Sequence, residues 1–225
     1  VFVGANAGVS NTSGSSNTAI GSSALGSNTT ASNNTAVGYQ AGYSNQTGPY
    51  LVAVGNYALR SATAGANDAF GYAAMYSTTT GNSNVALGFC SLYNNTTGSS
   101  NTAIGNTALQ SNTTAPQSTA VGYQALLNAT GGYNTAVGYA AAAGKTTGDS
   151  CTFIGRNTAG ATHTGGACTF VGDSAGAVAT SGSSNTFLGN GAGGAVTSGA
   201  KNTILGSYSG NQGGLDIRTA SNYIV

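Results

Sequence analysis

Asn34-Thr35-Ala36-Val37-Gly38-Tyr39-Gln40-Ala41 is the stretch whose reading decides the fold. Its core, Asn-Thr-Ala-Ile/Val-Gly, returns at 17–21, 101–105 and 134–138, with weaker copies between. The glycine of the phrase falls at 4, 21, 38, 55, 71, 88, 105, 122, 138, 155, 172, 189 and 206. The steps are 17 residues, apart from two of 16. A fixed internal period of this kind marks a repeat architecture. One residue before the glycine stand Val3, Ile20, Val37, Val54, Phe70, Leu87, Ile104, Val121, Val137, Ile154, Val171, Leu188 and Leu205, all apolar. Three residues after it every position is small, as at Ala24, Ala41, Ser91 and Thr158.

Seventeen residues are too few for a pair of helices. The β-branched, alternating Thr-Ala-Val run, punctuated by Gly and Asn-Thr-Thr-Gly, suits a short strand between turns. The reading is an all-β chain: a parallel β-solenoid or flattened β-roll of about 13 coils. Each coil is expected to hold one strand at the phrase, a bend at its glycine, a second strand near Ala-Leu and then a longer turn. The repeat domain is expected over residues 1–210. Residues 211–225 break the register and read as a transition to a following domain. The start Val1-Phe2-Val3-Gly4, without Met, and this broken register lead us to expect a segment of a longer chain.

Composition narrows the function. Charged residues are 4% of the chain, against about 25% in typical soluble proteins. With a net charge of +1 there is no electrostatic footprint for nucleic acid or an anionic membrane. No apolar run is long enough to span a bilayer. The acids are Asp68, Asp149, Asp173 and Asp216, and no two share a column that would pair them for acid–base work. Gly189-Asn190-Gly191-Ala192-Gly193-Gly194 spells a phosphate loop, but no Lys follows it. The expectation is no enzyme, no cofactor and no metal. His163 reads as a solvated turn residue. Cys90, Cys151 and Cys168 read as too scattered for a disulfide framework or a zinc site, although Cys151 and Cys168 share a column in adjacent coils.

Alternate strand residues face opposite sides. The expectation is that the Val column, Ile20 through Leu205, fills the interior as structural core. The Ala column (Ala19, Ala36, Ala53, Ala69, Ala86, Ala103, Ala120, Ala136, then Phe153, Phe170, Phe187, Ile204) would then face outward. Strands apolar on both faces are buried on both, so the second face requires a neighbour. A homo-oligomer of three chains is expected, and the inverse assignment, Ala inside and Val at the interface, leads to the same conclusion. Asn17, Asn34, Asn67, Asn84, Asn101, Asn134, Asn185 and Asn202 are expected to form an amide ladder. Tyr39, Tyr72, Phe89, Tyr123 and Tyr139 follow the glycine. They are candidate surface contacts for sugar rings, or else stack coil on coil.

The phrase at 34–41 and its copies resemble the head repeats of YadA-like trimeric autotransporter adhesins. They resemble still more closely the repeats of tail-fibre and other structural proteins of marine bacteriophages. The first resemblance implies a left-handed β-roll, three chains together. The second implies a fibre module of a virion that supports host attachment. The partners expected are the chain itself, as a trimer or stacked end to end, other virion or surface proteins, and a host-surface glycan. The setting is a virion or a bacterial cell surface, where an adhesin head is the alternative. An ice-binding solenoid is a third reading, drawn from Thr18, Thr35, Thr102, Thr119, Thr135 and their copies. It is weakened where Val52, Asp68 and Val85 interrupt that column.

Overall fold

The structure, a computed structural model, describes all 225 residues. It contains no helix. The chain divides into two compact units, Val1–Gln117 and Ser118–Val225. In the first, β1 (Phe2–Val3), β2 (Thr18–Ile20), β3 (Thr35–Val37), β4 (Val52–Val54), β5 (Asp68–Phe70), β6 (Val85–Leu87) and β7 (Thr102–Ile104) pair in parallel, each with its copy one coil on. In the second, β8 (Thr119–Val121), β9 (Thr135–Val137), β10 (Thr152–Ile154), β11 (Thr169–Val171), β12 (Thr186–Leu188) and β13 (Thr203–Leu205) do the same. Register follows the repeat: Ala19 lies opposite Ala36, and Phe170 opposite Phe187. Each unit is a parallel β-solenoid.

Only one strand forms per coil. The Ala-Leu stretch expected to be a second strand is a chain of turns. Its backbone alternates in hand, with Ser23 and Leu25 at φ 59° and 48° and their copies likewise left-handed. Its N–H groups alternate too. Ala24 N–H donates to Gly21 O three residues back, whereas Leu25 N–H donates to Ala41 O in the next coil. A strand cannot carry that alternation, yet both N–H groups find a carbonyl, as buried amides must. The repeat glycine has a specific cause. At Gly88 φ is +139°, and a Cβ there would lie 2.5 Å from Gly105 O in the neighbouring coil. Only glycine fits both the dihedral and the approach.

The interior is the reverse of the favoured expectation. Ala19, Ala36, Ala53, Ala69, Ala86, Ala103, Ala120, Ala136, Phe153, Phe170, Phe187 and Ile204 are fully buried. Ile20, Phe70, Leu87, Ile104, Val137, Ile154, Leu188 and Leu205 are exposed, and Val37, Val54, Val121 and Val171 half-buried, so none of them is core. The physical reason lies two residues away. Thr35 shares a face with Val37, and an inward threonine column would bury a hydroxyl per coil with nothing to bond. Asn17 shares a face with Ala19, and its amide does find inward partners, Nδ2 donating to Ala31 O and Oδ1 accepting the Asn34 N–H. The corner residues complete the core: Leu25, Leu59, Met75, Leu92, Leu109 and Leu126 are buried.

Residues 211–225 break the 17-residue register with an insertion. β14 (Asn211–Gln212) and β15 (Leu215–Asp216) form an antiparallel hairpin. The chain then rejoins the stack: Ile224 bridges Thr203 in parallel, and Tyr223 N–H donates to Asn202 Oδ1. The repeat is interrupted by an insertion and resumes.

Candidate functional site

Three features of the fold carry functional information. The first is the outer face of the strands. The first and third residues of each three-residue strand project together, as do Thr102 with Ile104 and Thr186 with Leu188. Leu87 and Leu188 are about half exposed, at 50% and 49%. Each unit thus presents an apolar stripe with one large apolar side chain per coil, Phe70 in one coil and an aliphatic residue in the others.

The second is an aromatic cleft of about 610 Å³ in the first unit, lined by Tyr39, Gln40, Tyr57, Arg60, Tyr72, Ala73, Tyr76, Cys90, Tyr93 and Gln110. Coil stacking builds it. Tyr39 and Tyr57 meet edge to face at 5.2 Å, Tyr72 stacks on Phe89 at 5.3 Å, and Tyr76 on Tyr93 at 5.2 Å. Arg60 donates from Nε to Gln40 Oε1 at 2.7 Å, with its guanidinium over the Tyr43 and Tyr76 rings. Of the expected contact residues, Tyr39 and Tyr72 line the cleft, and Phe89 backs Tyr72. Tyr123 and Tyr139 stack on each other at 5.1 Å in the second unit. All five are exposed. The expectation missed Tyr57, Arg60, Tyr76 and Tyr93. Tyr57 lies one column past Tyr39 and the others lie nearer the corner, and the aromatic spacing of 76 to 93 was the available signal.

The third is the buried polar turn. In three coils two asparagine columns converge on one turn carbonyl. Asn17 and Asn28 both donate to Ala31 O, Asn84 and Asn95 to Gly98 O, and Asn101 and Asn112 to Ala115 O. The ladder works mainly through the backbone: Asn34 N–H donates to Asn17 Oδ1, and Leu51 N–H to Asn34 Oδ1. Between Asn134 and Asn185, in the second unit, the same two columns change chemistry. One becomes Cys151 and Cys168, and the other Lys145 and His163. All four are buried.

These residues correct two expectations. His163 is no solvated turn residue. Its strand-like bridge to Lys145 turns the ring inward, against Phe153 and Phe170. The cysteines are not scattered either, because the stacking brings Cys151, His163 and Cys168 together, with one donor atom from each within 4.8 Å of the others. The two sulfurs are not bonded to each other. Cys151 Sγ lies 3.5 Å from Gly165 O, Cys168 N–H donates to Cys151 Sγ at 3.4 Å, and Lys145 Nζ donates to Gly165 O at 3.0 Å. His163 Nδ1 is 3.2 Å from Ala179 O, while its Nε2 has no partner. Burial, then the Lys145 charge, pushes the imidazole down to about 4. Burial likewise lowers Lys145. The hydrogen bond with Cys168 holds the Cys151 thiol below its ordinary range and Cys168 above it.

No helix in either unit is long and apolar enough to cross a membrane. Compared with family models, with curated proteins and with solved structures, the chain matches none of them.

Proposed function

We propose that the chain is a non-catalytic structural module of a fibre, self-associating through the outer faces of its strands. A virion fibre that supports host attachment is the setting we favour. The observation that carries this reading is the exposed apolar column. A stripe of this kind is an interaction surface. It repeats at the coil spacing, about 4.8 Å, and the partner whose side chains repeat at that same spacing is another copy of the chain. With so few charges, recognition rests on shape and apolar burial. Three chains is the count that the adhesin resemblance implies.

The test is solution mass. Light scattering on the wild-type chain is expected to give a trimer, and Leu87→Asp with Ile104→Asp a monomer of unchanged circular dichroism. A wild-type monomer of globular outline would overturn the proposal.

The aromatic cleft favours a second reading, direct contact with host-surface glycan. Sugar rings stack on tyrosine faces, and Arg60 beside Gln40 offers donors for their hydroxyls. Tyr57→Ala with Tyr76→Ala is expected to abolish carbohydrate binding by the assembled protein. Unchanged binding to cells or to a glycan array would rule it out.

A further inference from the structure

We propose that Cys151, His163 and Cys168 form a buried site for a single thiophilic metal ion of d10 configuration, Zn²⁺ or Cu⁺. Two thiol sulfurs and an imidazole are the donor set that such ions select over Mg²⁺ or Ca²⁺. The three donor atoms already lie within 4.8 Å of one another. An ion at about 2.3 Å from each sulfur and about 2.0 Å from the ring nitrogen needs them about 3.5–3.8 Å apart. Closing that gap takes side-chain shifts on the order of 1 Å.

The second argument is the orphaned nitrogen. His163 is fully buried, and Nδ1 is engaged by Ala179 O, which leaves Nε2 with nothing to bond. A ligating histidine is ordinarily arranged this way, one ring nitrogen donating to a carbonyl and the other free for the metal. A buried polar atom without a partner is costly. The rest of the molecule had a simpler solution available: both columns hold asparagines in the coils around Ala31, Gly98 and Ala115, and those amides donate to turn carbonyls. In the coil that turns at Gly165 both facing positions, Cys151 and His163, replace the amides, and Cys168 repeats the thiol one coil on.

Binding displaces the two thiol protons to solvent, so the two thiolates carry two negative charges. Zn²⁺ neutralises both, and Lys145, once its ammonium proton has also left to solvent, is available in its amine form as a fourth nitrogen donor. Cu⁺ neutralises one, and the Lys145 ammonium, held by Gly165 O and lying 5.5 Å over the Phe153 ring, balances the other. Either complex is neutral, as an apolar interior demands.

The experiment uses the whole chain, reduced with a phosphine and freed of metal by a chelator. It is then dialysed against Zn²⁺, or anaerobically against Cu⁺, and its metal content is measured. One equivalent of either ion per chain is expected, and Co²⁺ in the zinc form should develop thiolate-to-metal charge-transfer absorption. Cys151→Asn with Cys168→Asn restores the residue type of the surrounding column, so it should fold normally. It is expected to weaken binding by more than about 100-fold in competition with a chromophoric chelator, beyond what loss of a supporting residue gives. His163→Gln should do the same. Retention of neither ion by the reduced wild-type chain would overturn the proposal. So would equal retention by the folded double variant.

Discussion

The two units share a backbone repeat, and several coils of each fill it in opposite ways. In the first, the strand carries alanine and the corner a large residue: Ala53 with Leu59, Ala69 with Met75, Ala86 with Leu92, Ala103 with Leu109. In coils of the second, the strand carries phenylalanine and the corner almost nothing: Phe170 with Gly176 and Phe187 with Gly193. A Cβ on Gly176 would sit 2.5 Å from the Phe170 ring. The narrow interior holds about one large side chain per coil, from either wall. Where both walls are small the gap is filled from neighbouring coils. Leu25 and Leu51 close on Gly42, and beside Ala136 and Ala142 the buried Lys145 lies against Phe153. The conserved quantity along the coil is volume, as close packing requires.

Moving a large residue across the interior should therefore succeed where removing it fails. Phe170→Ala alone leaves a cavity beside Gly176 and is expected to cost about 3–5 kcal/mol. Adding Gly176→Leu recreates the pairing of the first unit and should restore more than half of that. The backbone permits it, because Gly176 at φ 62° has the left-handed conformation that Leu92 adopts at 53°. The reciprocal exchange, Ala103→Phe with Leu109→Gly, should likewise outperform either change alone. Urea denaturation of the four variants checks this, and strict additivity would mean that the two walls do not share one space.

The repeat glycine should make no distinction between the regions. Gly88→Ala and Gly138→Ala each put a Cβ 2.5 Å from the next coil's glycine oxygen, at φ +139° in both. About 3 kcal/mol or more is expected from each, from backbone strain plus the clash. Thermal melting of the two variants side by side tests the equality.

Much of this was legible in the sequence. The 17-residue spacing of glycine and the unbroken apolar column are enough for a parallel solenoid, because register in a stack is repeat spacing made visible. The wall assignment was harder, since both alternating faces of Thr-Ala-Val are apolar enough to be core. Two signals decide it. Threonine shares the valine face, and corner size runs opposite to strand size from Ala103–Leu109 to Phe170–Gly176. The hidden part was the cluster at His163. It stands 18 residues after Lys145 where the repeat gives 17, so its alignment with the buried polar column becomes visible only when the coil is closed.

The polar columns give the smallest expected effect. In both units a buried Asn Oδ1 accepts an N–H of the next coil: Asn34 serves Leu51, and Asn185 serves Asn202. Removing that acceptor leaves a buried donor unpaired, so Asn34→Ala and Asn185→Ala should each cost about 1–3 kcal/mol. Cys151 holds the same place with weaker bonds, its sulfur 3.4 Å from the Cys168 N–H and 3.5 Å from Gly165 O. In metal-free protein, Cys151→Asn exchanges these sulfur hydrogen bonds, and a third to Asp149 O at 3.4 Å, for amide ones. It should change stability by less than about 1 kcal/mol, in the stabilising direction, since the net value of one such bond is of that size. Chemical denaturation with chelator present measures it. A large loss would mean that the second unit has shaped this turn around sulfur, and that the ladder is two devices rather than one.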